Sequence, residues 1–387
     1  MVTLHYSVRR RAASNSIRAA IAILPLIMST RVAAAHPPEL HPAAVPFCKA
    51  LSDGWAVDDQ RHVLLTEPEA RELHGAGARW ARVEFRLPPG CQRWSGAVTA
   101  AYQVVIRNLI REHVQPLGLL DAGSWHGGQK LWLQGSAETG SGDGSNPYLR
   151  AWCADALLPL LKAFPQVRAW EVWNEPNCWT RHSPGAPGVL PGGSYLYPSN
   201  FAWLLTETWK TVRACSPGSL VVAGGILTAG FTHSVAANVA TEYIRATVSA
   251  GNQLDGWSDL PAECGGAPVD AWGLHLYPDS DSRVASGVID AYYTAFRKAL
   301  VAALPRQGAA AVWVTEIGWA ARTGDVRAEA REAANLVEAF TELAQQPGIG
   351  PVFWFTLHDN PSAGLWYGLR TANDQPKPAW AAWKSIR

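Results

Sequence analysis

The feature that most limits how this chain can fold is an alternation of strand-like and helix-like segments. From about residue 52 onward, short apolar runs of strand length alternate with longer stretches that carry apolar residues at helical spacing. Eight strand-like runs can be read: Gly54–Asp58, Arg79–Phe85, Leu117–Asp121, Ala169–Trp173, Leu220–Gly224, Ala271–Leu276, Ala311–Thr315 and Val352–Leu357. Helical patterns lie between them over Val98–Val114, Asn200–Cys215, Ala236–Ala250, Gly287–Leu304 and Val326–Gln345. Thr66-Glu67-Pro68-Glu69 forms a capping box that opens the first helix. Such alternation predicts a parallel sheet with helical crossovers, and eight units predict an α/β (β/α)₈ TIM barrel in a single catalytic domain.

The 387 residues exceed what a bare barrel needs, roughly 250. The surplus falls in the Gly/Ser-rich run 122–147, the Pro/Gly-rich run 178–198, and the runs 251–268 and 359–376, all of which follow strands. Loops at that end build the ligand-binding face of such a barrel.

The N-terminal 35 residues lie outside the pattern. Arg9, Arg10 and Arg11 precede an apolar run from Ala19 to Met28, and Ala33-Ala34-Ala35 stands before His36. That is the layout of a secretory signal, too short and wrongly flanked for a membrane span. The expectation is a domain over 36–387 that is secreted, extracellular or periplasmic, with no membrane span after signal removal. The six cysteines all lie in that part, and an even count in an exported chain predicts disulfides, with Cys178–Cys264 as one pairing. A formal net charge of +1 with no basic stripe argues against a nucleic-acid partner. No C-x-x-C occurs and the His residues are scattered, so neither a metal nor another cofactor is expected. The chain is expected to be a monomer.

Two carboxylates stand at strand ends. Glu175 follows the fourth strand in Trp173-Asn174-Glu175-Pro176. Glu316 ends the seventh, where alternation puts Val312, Val314 and Glu316 on one face. Across the mouth of a barrel they would oppose each other, as glycoside hydrolysis requires: one protonates the leaving oxygen, the other attacks the anomeric carbon or activates water. The sixth strand places Ala271, Gly273, His275 and Tyr277 on one side. The 19 tryptophans include several in loops after strands (Trp125, Trp179, Trp257, Trp319 and Trp366), where flat rings suit sugar C–H faces. An oligo- or polysaccharide substrate is therefore expected.

Trp173-Asn174-Glu175-Pro176 with Thr315-Glu316-Ile317-Gly318-Trp319 resembles the clan A, or four/seven barrel, glycoside hydrolases. Gly77 to Phe85, Leu274-His275-Leu276-Tyr277-Pro278, Phe353 to Asp359, Gly368-Leu369 and Pro376-Lys377-Pro378-Ala379 extend the resemblance across most of the chain. The texture is most like families 39 and 5. The resemblance implies a retaining mechanism with Glu175 as acid/base and Glu316 as nucleophile. Arg82 would hold Glu316 ionised, Tyr277 would hydrogen-bond it, Asn174 would meet the sugar 2-OH, and His275 would orient the sugar or Glu175. Trp354 is a candidate stacking platform and His126 a further lining residue. Arg82, Glu84 and Glu171 also admit a purely structural role, as an interior ion-pair layer. A transglycosylase using the same two acids, or a non-catalytic carbohydrate-binding barrel, are the alternatives.

Overall fold

A computed structural model describes residues 45–53, 56–126, 143–178, 194–228, 240–260, 266–278, 284, 286–304 and 311–386. Eight parallel strands close into a barrel in sequence order: β1 (Cys48–Asp53), β2 (Trp80–Glu84), β3 (Gln115–Leu120), β4 (Ala169–Val172), β5 (Leu220–Leu227), β6 (Ala271–Leu276), β7 (Ala311–Ile317) and β8 (Ile349–Phe355). The strands buried on both faces read as near-continuous apolar runs, as expected when helices cover the outside. The signal-like segment lies outside the described residues. No helix among the described residues is long and apolar enough to cross a membrane.

The first strand corrects the expectation. It is Cys48–Asp53, not Gly54–Asp58; Val57 instead makes an isolated antiparallel bridge to Val63. The Lys49 in that strand hides its apolar character. Lys49 is buried, and its Nζ donates to the carbonyls of Ala76, Trp383 and Ile386 at 2.8, 2.9 and 2.6 Å. A cation satisfied by three carbonyls thus ties the start of the barrel to its last helix, Pro378–Ser385.

The helices follow their periodicity. The Thr66 cap is present, with Glu69 accepting from the Thr66 N–H at 2.6 Å. Val326–Leu343 buries Ala328, Glu332, Asn335, Leu336, Ala339, Phe340 and Leu343, one continuous face. A helical run over Pro147–Trp152, Cys153–Leu157 and Leu158–Ala163 was not legible in the periodicity. Its signal was the cap: the Asn146 side chain accepts from the Leu149 N–H at 2.9 Å, with Pro147 in the first turn.

Inside the barrel, side chains stack in layers because alternate residues point inward. Trp80, Trp313 and Phe353 form an aromatic floor with Ala50, Leu117, Ala169, Leu220 and Ala271. Trp80 meets Trp313 edge-on with ring centroids 5.1 Å apart. Two residues further along β1, β2 and β4 come Ser52, Arg82 and Glu171, so a polar layer sits directly on the apolar floor.

The expected disulfides do not form among the described residues: Cys48, Cys91, Cys153, Cys178 and Cys215 are free. The barrel disperses them: Cys48 opens β1 at the bottom, while Cys91 and Cys178 lie in loops at the top. Cys264, assigned to Cys178 by sequence, lies outside the described residues.

Candidate active site

The polar layer converges on Arg82, which is 3% exposed. Its Nε donates to Glu171, its Nη1 to Glu316 Oε1 at 2.5 Å and to Ser52 Oγ at 3.2 Å, and its Nη2 to Asn174 Oδ1 at 2.8 Å. One guanidinium therefore joins β1, β2, β4 and β7 through its fixed fork of donors.

Glu316 reaches this layer by a route that simple alternation does not give. Val312 and Val314 belong to the outer core under the helices, while Trp313 belongs to the barrel floor. Unbroken alternation would turn Glu316 outward with the two valines. Between β6 and β7 the register shifts: Leu274 pairs with Val314, but His275 pairs with Glu316. The extra residue, Thr315, re-aims Glu316 into the mouth, a common use of a bulge beside a functional site. On β6 the expectation of one shared face is met: Ala271 lies in the floor, and Trp272, Leu274 and Leu276 lie outside.

Tyr277 Oη donates to Glu316 Oε2 at 2.5 Å. His275 Nδ1 lies 3.0 Å from Glu175 Oε1 and 3.6 Å from Glu316 Oε2, so the ring bridges the two acids. Oxygens of Glu175 and Glu316 lie within 4.8 Å of each other and of this nitrogen. Those three side chains also form the only cluster of potential metal ligands among the described residues. Both oxygens of Glu316 already accept from Arg82 and Tyr277, and the guanidinium would face any ion placed there, so the geometry favours an acid pair over a metal site.

Glu175 is held by backbone. Trp173 and Glu175 adopt positive φ, 71° and 47°, on either side of Asn174. Non-glycine residues rarely adopt such angles, and they persist only where the surroundings enforce them. Here Trp173 N–H donates to Leu120 O (2.7 Å), its indole to Ser194 O (2.5 Å), and Ser194 Oγ to Glu175 O (3.0 Å). Asn177 exchanges two 2.9 Å hydrogen bonds with the backbone of Leu227. Two glycines of β5 leave the space. A Cβ on Gly224 would stand 2.2 Å from Trp173 O, and one on Gly225 would stand 2.0 Å from His275 Nε2. The paired glycines inside an apolar strand were the sequence signal for this close packing.

The charges follow from this geometry. Burial raises the Glu316 pKa, but His275, Arg82 and the Tyr277 hydrogen bond outweigh it and hold the carboxyl below its ordinary value. Burial alone would lower the His275 pKa; Glu316 and Glu175 outweigh that and raise it. Beside the acids lies a cleft of about 760 Å³, lined by Glu84, Asp121, Trp125, His126, Asn174 and Glu175 among others. Burial and the neighbouring Asp121 push Glu84 up to about 8.

Arg82, Asn174, Glu175, His275, Tyr277 and Glu316 are thus brought together. Trp354 is not. It is fully buried on the helix side of β8, stacked on Trp319 with centroids 6.0 Å apart, and its indole donates to Tyr367 O at 3.1 Å. It presents no face to a sugar. Of the loop tryptophans, Trp125 lines the cleft, Trp257 and Trp319 are core, Trp366 lies beside the Arg322 guanidinium, and Trp179 is outside the described residues.

No protein-family model matches the chain, and no curated protein matches it. Solved structures do. A family 1 β-glucosidase from Thermotoga maritima aligns over 90% of this chain and 99% of its own, with TM-score 0.54 and 14% identity. The chain shares its barrel. A GH5_18 protein from Streptomyces cattleya, solved with Manβ1-4GlcNAc, aligns over 90% of this chain and 79% of its own, with TM-score 0.59 and 15% identity. An exo-β-1,4-mannosidase from Opitutaceae bacterium strain TAV5 aligns over 89% of this chain and 60% of its own, with TM-score 0.56 and 12% identity. The (β/α)₈ architecture is therefore common to this chain and to glycoside hydrolases of families 1 and 5.

Proposed function

We propose that this protein is a secreted β-glycoside hydrolase that acts on oligo- or polysaccharides with retention of configuration. The separation of the two acids carries this reading. Retaining enzymes hold their carboxyl groups about 5–5.5 Å apart, inverting ones about 6.5–9.5 Å, because the latter must seat a water between acid and sugar. One oxygen of Glu175 lies within 4.8 Å of one of Glu316, a close approach that supports the short class.

In the first step an oxygen of Glu316 forms a bond to the anomeric carbon. The bond to the leaving oxygen breaks, its electron pair stays on that oxygen, and Glu175 supplies the proton. In the second step water attacks the same carbon while Glu175 takes a proton from it. The ester bond breaks and its electron pair returns to Glu316. Arg82 and Tyr277 keep Glu316 ionised and fixed, which leaves it available to attack. His275 holds the two acids in a common frame, and the cleft beside Glu175 receives the sugar chain.

The test is azide rescue on aryl β-glycosides. Glu316→Gly should be inactive alone and give the α-glycosyl azide when azide is added. Glu175→Ala should give the β-glycosyl azide. Residual full activity in Glu316→Gly, or an azide of the wrong configuration from either variant, would overturn the assignment.

A further inference from the structure

The mechanism above makes no use of Glu171, and a fully buried carboxylate needs a reason. Glu171 sits on β4 in the layer above the floor. One oxygen accepts from Arg82 Nε and the other from the Gly225 N–H of β5 at 2.9 Å. Arg82 is thus clamped between two carboxylates, Glu171 behind it and Glu316 in front.

The two partners differ in what the reaction does to them. Glu316 is an anion in the free enzyme and a neutral ester in the glycosyl-enzyme. Arg82 stays positive throughout. Among the described residues its other hydrogen-bond partners are the neutral Ser52 and Asn174. When Glu316 gives up its charge, the buried guanidinium loses the anion hydrogen-bonded in front of it. Glu84 acts on it only without a hydrogen bond, and burial pushes that carboxyl up to about 8, so the loss of the Glu316 charge is costly. Glu171 cannot be esterified, because it lies behind Arg82 and is sealed from the cleft.

We infer that Glu171 is a positioning residue with an electrostatic duty: it is the permanent counter-ion of Arg82, and it stabilises the covalent intermediate relative to the free enzyme. This rests on the hydrolase activity proposed above. Its hold on Nε also leaves Nη1 and Nη2 directed at Glu316 and Asn174. The Gly225 amide joins the same system to the strand that supports His275, so charge and geometry are set together.

A purely structural carboxylate would affect both chemical steps alike; a counter-ion would not. Without it, forming the ester strands the Arg82 charge, and breaking the ester relieves it. The probe is the 2,4-dinitrophenyl 2-deoxy-2-fluoro-β-glycoside of whichever sugar the wild-type chain cleaves fastest among glucose, mannose, galactose and xylose. Release of dinitrophenolate reports formation of the ester, and recovery of activity after removal of excess probe reports its hydrolysis. For Glu171→Gln we expect ester formation to slow on the order of 10²-fold, the scale of a buried charge losing its partner, while recovery is unchanged or faster. Glu171→Asp keeps the charge and should leave the ratio of the two rates near the wild-type value, which serves as the reading if the Gln variant does not fold. Equal loss in both steps for Gln, no change in either, or an Asp variant whose rate ratio falls far below the wild-type value, would overturn the inference. A wild-type chain that cleaves none of the four parent aryl glycosides and releases no reducing sugar from plant, fungal or bacterial polysaccharides would instead remove the hydrolase activity itself.

Discussion

Arg82 and Lys377 are both buried cations paired with carboxylates, and they are used in opposite ways. Arg82 lies inside the barrel and Lys377 outside it, under the loop that follows β8. Lys377 Nζ donates to the carbonyls of Ala321 (3.0 Å) and Trp366 (3.3 Å) and pairs with Glu332 (3.0 Å) and Asp359 (3.3 Å). Glu332 and Asp359 are themselves buried, and burial raises the Glu332 pKa despite the lysine. That centre is closed: it fastens the end of the chain to the Val326–Leu343 helix. The Arg82 centre is open at one edge. Its foremost carboxylate, Glu316, stands at the mouth beside Glu175, which lines the cleft. The same physics gives a fastening where both faces are sealed and, in the proposed mechanism, a nucleophile where one face opens on the cleft.

The contrast is broken most forcefully at Glu316. Glu316→Gln should lower kcat on the order of 10⁵-fold, because the proposed nucleophile is lost. The fold should survive, since Glu171 still pairs Arg82. Kinetics together with a thermal melt check both halves. Lys377→Met should do the reverse. Unpairing two buried carboxylates is expected to cost about 3–5 kcal/mol in denaturant unfolding, while kcat per folded molecule stays near the wild-type value. A large specific loss of kcat there would erase the distinction.

Gly225→Ala tests whether the open centre depends on its packing. The new Cβ would press on the His275 ring, and a displacement of that size is expected to cost roughly 10²-fold in kcat. Trp354→Phe should be milder, about 1–3 kcal/mol of stability with KM unchanged, because the ring is buried against Trp319 and out of the cleft. A raised KM would return Trp354 to the site.

The smallest effect is on pH. The folded pKa of Glu316 lies below 4.5, so its contribution to stability is present above pH 4.5 and is lost as pH falls through the lower folded value. The folded pKa of His275 lies above 6.5, so its contribution is present below pH 6.5 and is lost as pH rises through the higher value. Melting temperature against pH should therefore fall at both ends, and His275→Asn should flatten the alkaline side and also weaken the acid side, because His275 helps to hold the Glu316 pKa down.

Much of this was legible from residue order. Alternating segments carry the barrel, because each strand and helix must bury a face and the period of that face differs. Trp173-Asn174-Glu175-Pro176 and the His275/Tyr277 spacing point to the mouth for the same reason. What stayed hidden depends on contacts between strands. The β1 strand was masked by Lys49, whose ammonium is satisfied by the carbonyls of Ala76, Trp383 and Ile386, far away in sequence. The inward turn of Glu316 comes from a register shift with β6, which no single strand records. Trp354 shows the converse: parity along β8 did not fix its direction, and the packing with Trp319 did.

The central claim is that Glu175 and Glu316 work as a retaining pair. Proton NMR of the first product formed from an aryl β-glycoside cleaved by the wild-type chain, read before mutarotation, tests it most directly. The short separation of the two acids predicts that the β-anomer appears first and then relaxes to equilibrium. An α-anomer appearing first would contradict it.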